Sequence, residues 1–269
     1  MTTLSKNLDC NSSIAFFDSG IGGLTVLNKV KKVLPEESFI YYGDTLHMPY
    51  GEKSKEQLLE YSDKIFKFFE AKGCKAVVMA CNTTSSVVYE DVKGKYNFKL
   101  YPIVQSVAEI LAKSEVSSLG IFATRATIES KAYEKEIAKY SPDIKVFGQF
   151  CPQWVHFVEE NSMSLPDNTA VIKADLDKML QNNPDKIVLG CTHYPFLLDV
   201  LSEFAPRELF IDPAESFARF IKDDLAKENL LSTSNDRFEA FYVSSNPENF
   251  KSSSKMFYDV KDLPELLTF

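Results

Sequence analysis

Residues 76–83 read AVVMACNT, an unbroken apolar run that ends in Cys81 and is followed by an amide and a hydroxyl side chain. Residues 186–193 read KIVLGCTH, so a second apolar run ends in Cys191, 110 residues after the first thiol. Apolar runs without polar alternation are typical of strands buried on both faces of a parallel sheet. The two stretches predict two related α/β units, each with a thiol at a carboxyl strand end, where open α/β sheets bind ligands.

Short β-rich runs recur along the chain with helical stretches between them, which favours parallel α/β architecture. Strands are expected at 14–18, 39–42, 76–80, 100–104, 119–123, 146–150, 187–189, 209–211 and 241–243. Ser54 and Gln57 have the spacing of a capping box, so the clearest helix is expected to begin there and to end before Gly73. A second echo, between IAFFDSG at 14–20 and LGIFATR at 119–125, supports two related lobes.

Charge and hydropathy limit the classes of partner. The 269 residues contain 30 Lys and Arg against 38 Asp and Glu, a net charge of −8 that disfavours nucleic acid or an anionic membrane as the principal partner. Apolar runs stay far below the roughly 18 residues of a membrane span, and the start, MTTLSKNLDCNSS, lacks the apolar core of a signal peptide. We expect a cytoplasmic protein with a small-molecule substrate.

Cysteine and histidine spacing argues against a metal site. The five cysteines form no CxxC pair and the three histidines have no zinc-ligand spacing, so we assign no metal and expect reduced thiols. Cys81 and Cys191 are each expected at the start of a helix, whose dipole would favour the thiolate. The alternative is that both are simply small buried hydrophobic residues.

Other polar side chains are candidates for ligand contacts. Asp18 and Ser19 open DSGIGGLT, in which the G-x-G-x-x-G nucleotide pattern fails because Thr25 takes its last position. They are placed to face an amino-acid ligand, or they cap an ordinary βα turn. Tyr50, in the loop GDTLHMPYG, offers a hydroxyl, although such a loop is also explained by structure alone. His193, and Glu159 in the expected helix 152–161, are candidate proton partners or ordinary polar residues.

Four stretches, DSGIGGLTV, MPYGEKS, ACNTTSS and GCTHYP, together resemble the glutamate racemase family of the cofactor-independent aspartate/glutamate racemase superfamily. The resemblance extends through ATRATIESKAY, CPQWVHFVEEN, IDPAESFA and FYVSSNPENF, so it covers nearly the whole chain. It implies two pseudo-symmetric parallel-sheet α/β lobes with the active site between them. We predict a first lobe of residues 1–103 plus 212–269 and a second lobe of residues 104–211.

The resemblance also implies residue roles. Cys81 and Cys191 become the two catalytic acid/bases on opposite faces of the substrate α-carbon, with Cys81 acting on D-glutamate and Cys191 on L-glutamate. Asp18, Glu159 and His193 match polar groups that assist proton transfer in the family. The positions matching substrate contacts are Asp18, Ser19, Tyr50, Gly51, Asn82, Thr83, Thr192 and His193. No cofactor is expected, because two thiols suffice to remove one proton and deliver another.

The implied activity is interconversion of L- and D-glutamate, which supplies D-glutamate for peptidoglycan and thereby supports cell wall biogenesis and cell shape. The oligomeric state stays open, with a homodimer as one candidate. Two alternatives stay open: a racemase of the same superfamily acting on aspartate or another amino acid, and a non-catalytic amino-acid-binding protein. Two thiols in matching contexts count against the binding protein.

Overall fold

A computed structural model describes residues 8–269, so the first seven residues, part of the stretch used above to predict location, lie outside the described residues. The described chain divides into two compact units. One contains the described residues up to Ile103 together with Ala214–Phe269, and the other is Val104–Pro213. The second division therefore falls slightly later along the chain than the boundary expected between residues 211 and 212.

Each unit is organised around one parallel sheet. The strands are β1 (Ile14–Asp18), β2 (Phe39–Gly43), β3 (Ala76–Met79), β4 (Lys99–Pro102), β5 (Ser118–Ala123), β6 (Lys145–Phe150), β7 (Lys186–Gly190), β8 (Phe210–Ile211), β9 (Glu239–Val243) and β10 (Glu265–Leu266). The first unit holds a six-stranded sheet in the order β10-β9-β2-β1-β3-β4, and the second a four-stranded sheet in the order β6-β5-β7-β8. Two parallel-sheet α/β lobes are thus confirmed.

The two sheets share a topological core. In the first unit the order β2-β1-β3-β4 has the same connectivity as β6-β5-β7-β8 in the second. β1 pairs with both β2 and β3, and β5 pairs with both β6 and β7. The thiol-bearing strands β3 and β7 therefore occupy equivalent positions, as the echo between the two halves of the sequence predicts.

Helices connect successive strands. They are α1 (Leu24–Val33), α2 (Lys55–Ala71), α3 (Asn82–Val92), α4 (Ile103–Ala112), α5 (Arg125–Ser130), α6 (Ala132–Tyr140), α7 (Trp154–Glu159), α8 (Pro166–Leu180), α9 (Leu198–Ser202), α10 (Pro213–Lys227) and α11 (Pro247–Ser254). The predicted capping box forms: Ser54 Oγ accepts from Gln57 N at 3.3 Å, and Ser54 N donates to Gln57 Oε1 at 3.0 Å. None of the helices described in 8–269 is both long enough and apolar enough to cross a membrane.

Three local expectations need correction. The strand expected at 100–104 ends at Pro102, because residues from Ile103 onward form α4. The helix expected over residues 152–161 is shortened to α7. The two-residue strand β10 was not expected; it pairs with Tyr242 and Val243 of β9, and its own side chains are exposed, so it carries no alternation pattern.

A buried ion pair closes the amino-terminal edge of the first sheet. Lys75 Nζ lies 2.5 Å from Glu37 Oε2, and both side chains are almost fully buried. Lys75 also donates to the carbonyl oxygens of Cys10 and Leu230, while Glu37 Oε1 accepts from Ser232 N at 2.9 Å. One ammonium thus ties three distant chain segments together at the edge of this sheet opposite Cys81.

We expect Lys75→Met to lower the free energy of unfolding by about 3–5 kcal/mol, because it leaves the Glu37 carboxylate buried without its cation. Lys64→Met is the matched control, since Lys64 pairs with Glu60 at the surface, and it should change stability by about 0.5 kcal/mol or less. Urea unfolding of the three proteins measures both values. Equal losses for the two variants would contradict a stabilising role for the buried pair.

Candidate active site

Cys81 lies where β3 passes into α3. Its backbone N–H donates to Phe17 O at 3.4 Å, and its carbonyl accepts from Ser85 N at 2.9 Å, the first hydrogen bond of the helix. The residue is the N-cap of an eleven-residue helix, so its thiol lies at the positive end of the helix dipole. Cys81 Sγ is 3.9 Å from Ser19 Oγ. The predicted helix-terminal position is confirmed for this thiol.

The turn after β1 is packed against Cys81. Asp18 is fully buried, and its Oδ2 accepts from Gly20 N at 3.1 Å, while Tyr41 Oη donates to Gly20 O at 2.7 Å. A Cβ atom at Gly23 would lie 2.5 Å from Asp18 Cβ, so a larger residue there would displace the carboxylate. Burial, and then the charges of Asp18 and Cys81, raise the pKa of Tyr41 well above its ordinary value, so its hydroxyl stays a donor.

Tyr50 is held by a carboxylate that the sequence did not single out. Asp44 N donates to Asp18 O at 3.0 Å, and the Asp44 carboxylate accepts from the Tyr50 hydroxyl and lies 2.8 Å from His47 Nδ1. Burial, followed by the Asp44 charge, raises the pKa of Tyr50 well above its ordinary value. Asp44 directly follows β2, a position at which a short acidic residue is a candidate for site chemistry.

Seven predicted site residues belong to the first unit. Cys81 ends the segment that follows β3, and Asn82 and Thr83 form the first turn of α3, where both are buried. Tyr50 and Gly51 lie in a 3-10 helix, Tyr50–Glu52. Because β1, β2 and β3 are adjacent and parallel, the carboxyl ends of all three place these residues, with Asp18 and Ser19, along one edge of the sheet.

Cys191 has a different local structure from Cys81. It follows β7, but the next element is the four-residue 3-10 helix Tyr194–Leu197, and the α-helix behind it, α9, has only five residues. The expectation of a helix N-terminus at Cys191 is therefore wrong. Pro195, which has no backbone N–H to offer, lies in the first turn of this short helix.

The polar partner of Cys191 is His193. The Nδ1 atom of His193 is 3.8 Å from Cys191 Sγ, and Nε2 is 3.2 Å from Glu159 Oε1. Burial disfavours protonation of His193, but the hydrogen bonds to Cys191 and Glu159 outweigh it and raise the pKa to about 10. The imidazole is therefore protonated at neutral pH, and its positive charge lies beside the thiol.

All four predicted site residues of the second unit thus meet at one place: Cys191, Thr192 and His193 after β7, and Glu159 at the end of α7. Thr192 Oγ1 is 3.5 Å from His193 Nδ1.

Two other cysteines are poor acid/bases by comparison. Burial raises the pKa of both Cys74 and Cys151, which disfavours their thiolates. Among residues 8–269 no group of three or more His, Cys, Asp or Glu side chains is arranged to hold a metal ion. The chemistry that these groups offer is proton transfer.

The family model for Asp/Glu/Hydantoin racemases matches residues 23–221. The chain belongs to this family. A glutamate racemase of a Thermoanaerobacter species is 36% identical over 245 residues, covering 90% of this chain and 92% of the relative. Racemases are isomerases, and membership of this family places the chain among enzymes.

Two solved structures from the family resemble the fold over almost all of the chain. Glutamate racemase from Francisella tularensis, crystallised in complex with D-glutamate, has a TM-score of 0.86 at 30% identity and covers 97% of this chain and 98% of its own. Glutamate racemase from Thermus thermophilus, in complex with β-chloro-D-alanine, has a TM-score of 0.86 at 31% identity and covers 97% and 98%. Both relatives bind a small amino acid.

The ring of His193 should remain protonated in titrations up to pH about 10, because Cys191 and Glu159 stabilise the imidazolium. This folded-state pKa lies above the unfolded value of about 6.5. Protonation of His193 therefore stabilises the fold fully below pH 6.5, and the contribution is lost as pH rises through about 10. NMR of the imidazole ring measures the midpoint.

Glu159→Gln should lower that midpoint by about one unit or more, since it removes a charge in contact with His193. Glu160→Gln, at the next position, is the control and should leave the midpoint unchanged. A His193 midpoint near 6.5 in the parent protein would contradict the assignment.

Proposed function

We propose that the protein is a glutamate racemase that interconverts L- and D-glutamate through two thiols without a cofactor. The observation that carries the proposal is the equivalent placement of Cys81 after β3 and Cys191 after β7, each beside polar groups suited to proton transfer. The proposed lobes, 1–103 with 212–269 and 104–211, contribute one thiol each.

In the proposed reaction one thiolate removes the α-proton from one face of the substrate, and the opposite thiol donates a proton to the other face. Cys81 acts on D-glutamate and Cys191 on L-glutamate. The protonated His193 stabilises the Cys191 thiolate, and Glu159 keeps His193 protonated. For Cys81 the dipole of α3 favours the thiolate, and Asp18 assists through the turn that carries Ser19.

The remaining side chains hold the substrate. Ser19, Asn82, Thr83 and Thr192 supply hydroxyl and amide donors for the carboxylates, and donors at the α-carboxylate stabilise the charge that develops as the α-proton leaves. Asp18 pairs with the substrate ammonium, and Tyr50, Gly51 and His193 complete the contacts. The D-glutamate formed serves peptidoglycan synthesis. A cytoplasmic location, and a homodimer as one possible assembly, stay predictions.

The family also contains aspartate and hydantoin racemases, so the choice of substrate needs a direct test. Polarimetry of the purified protein with L-glutamate should show loss of optical rotation. The kcat/KM for L-glutamate should be higher than the kcat/KM for L-aspartate. Faster turnover of aspartate would replace the proposal with an aspartate racemase. Binding of glutamate without any change of rotation would replace it with a binding protein.

Cys81→Ser and Cys191→Ser should each lower the rate of racemisation by about 10²- to 10⁴-fold, the usual contribution of a positioned acid or base. Glutamate binding, measured by calorimetry, should survive in both variants, because the side chains at positions 81 and 191 are not among the groups proposed to hold the carboxylates. Cys10→Ser is the control and should retain the parent activity. Full activity in either of the first two variants would show that a single base acts.

In deuterated water, early in turnover, solvent deuterium should enter the product enantiomer while recovered substrate stays largely unlabelled. Each thiol serves one face, so a proton removed from the substrate is not returned to that same face from solvent. Mass spectrometry of the separated enantiomers measures the label. Substantial early label in recovered substrate would indicate one base that reaches both faces.

A further inference from the structure

Asp175 of α8 holds Trp154, the only tryptophan of the chain. Its Oδ2 accepts from Trp154 Nε1 at 2.9 Å. Gln149 Nε2 lies 3.2 Å from Asp175 Oδ1 and donates to the Asp175 carbonyl at 3.0 Å. Asp175 is half-buried, and burial raises the pKa of its carboxyl against the lowering effect of these hydrogen bonds. The carboxylate thereby fixes the orientation of the indole N–H.

The indole is linked to both partners of the Glu159–His193 contact through neighbouring residues. Trp154 is fully buried and is the first residue of α7, the helix that ends at Glu159. Its ring packs edge-on against Tyr194, with centroids 5.0 Å apart, and Tyr194 directly follows His193. Tyr194 Oη donates to Cys151 O at 3.0 Å, which ties the turn after Cys191 to the segment leading into α7.

We propose that Asp175 is a positioning residue for the Cys191 acid/base, because through Trp154 it sets the distance between Glu159 and His193. The proposal rests on the proposed function, in which His193 stabilises the Cys191 thiolate. Without the carboxylate, the indole N–H loses the one hydrogen bond that it makes among the described residues, and α7 can shift relative to the turn at His193. A looser Glu159–His193 contact lowers the pKa of His193. Less positive charge then lies beside Cys191, and the thiolate is less stabilised.

Several ionisable groups lie around Cys191. They are His193 and Tyr194 on its own segment, Glu159 through His193, Tyr133 of α6, Cys151 before α7, and Asp175 and Lys178 of α8 through Cys151. Among the described groups in this set, His193 is the cation in contact with the thiol, with Nδ1 3.8 Å from Sγ, so a displacement of α7 should change the reactivity of Cys191 mainly through His193.

The test follows the alkylation rates of Cys191 and Cys81 with iodoacetamide against pH, by mass spectrometry of the two peptides from the same sample. In Asp175→Ala, Cys191 should react roughly three- to tenfold more slowly at neutral pH, because a displaced imidazolium leaves less of the thiol ionised. Cys81, in the other unit, should be unchanged. Racemisation should lose roughly 10- to 100-fold in kcat, as for a displaced catalytic group, with KM altered less than about threefold.

Three further variants separate positioning from general stability. Asp175→Asn keeps an oxygen acceptor for the indole and should restore both the Cys191 alkylation profile and the Trp154 fluorescence spectrum. Trp154→Phe keeps the ring but removes the N–H, and should repeat the loss of Cys191 reactivity even if Asp175→Ala fails to fold. Asp177→Ala, which removes the partner of Lys173 at the surface of the same helix, should have no effect.

An unchanged ratio of Cys191 to Cys81 alkylation in Trp154→Phe, or a loss in Asp175→Asn as large as in Asp175→Ala, would overturn the proposal. These readouts need no turnover. A parent protein that fails to racemise glutamate would therefore overturn the proposed function while the alkylation ratio still decides the role of Asp175.

Discussion

Parallel pairing of β1 with β3 and of β5 with β7 is the constraint on which the rest of the structure depends. Parallel strands all end at the same edge of a sheet, so whatever follows one strand becomes a neighbour of whatever follows the next. The Asp18 turn and Cys81 are brought together in this way, from positions far apart in sequence. The opposite edge of the first sheet, by contrast, is closed by the Lys75–Glu37 pair and serves stability.

The two units repeat a topology without repeating the electrostatics. Cys81 caps a long helix, and backbone dipoles supply its positive field. Cys191 is followed by a 3-10 helix too short to do so, and a side-chain cation, His193, lies beside it instead. Thr83 is the residue of the first unit that corresponds to His193 in sequence. The same strand position is thus served by a helix in one unit and by an ion pair in the other.

Most of the fold could be predicted from apolar runs and turn residues, because burial on both faces leaves an unbroken apolar pattern in strands such as β3 and β7. The Ser54 capping box was equally readable, since both of its hydrogen bonds are local. The short helix after Cys191 was not readable, because its form depends on how Pro195 and Tyr194 pack. The contacts of Asp44 and Asp175 could not be predicted for a similar reason. Each carboxylate contacts a distant or non-periodic partner, and no spacing rule identifies such a pair.

The charge on His193 has a consequence for how the two halves of the proposed catalytic cycle are related. A two-thiol racemase alternates between a form with its thiolate in one unit and a form with its thiolate in the other, and each form accepts only one enantiomer. The imidazolium beside Cys191 and the helix dipole at Cys81 are different electrostatic environments, so the two forms of the proposed cycle differ in free energy. The enantiomers themselves are equal in free energy, so this inequality leaves the final mixture racemic. The inequality affects the free enzyme instead. After each turnover the free enzyme must exchange protons with water to return to its resting form before it accepts the same enantiomer again.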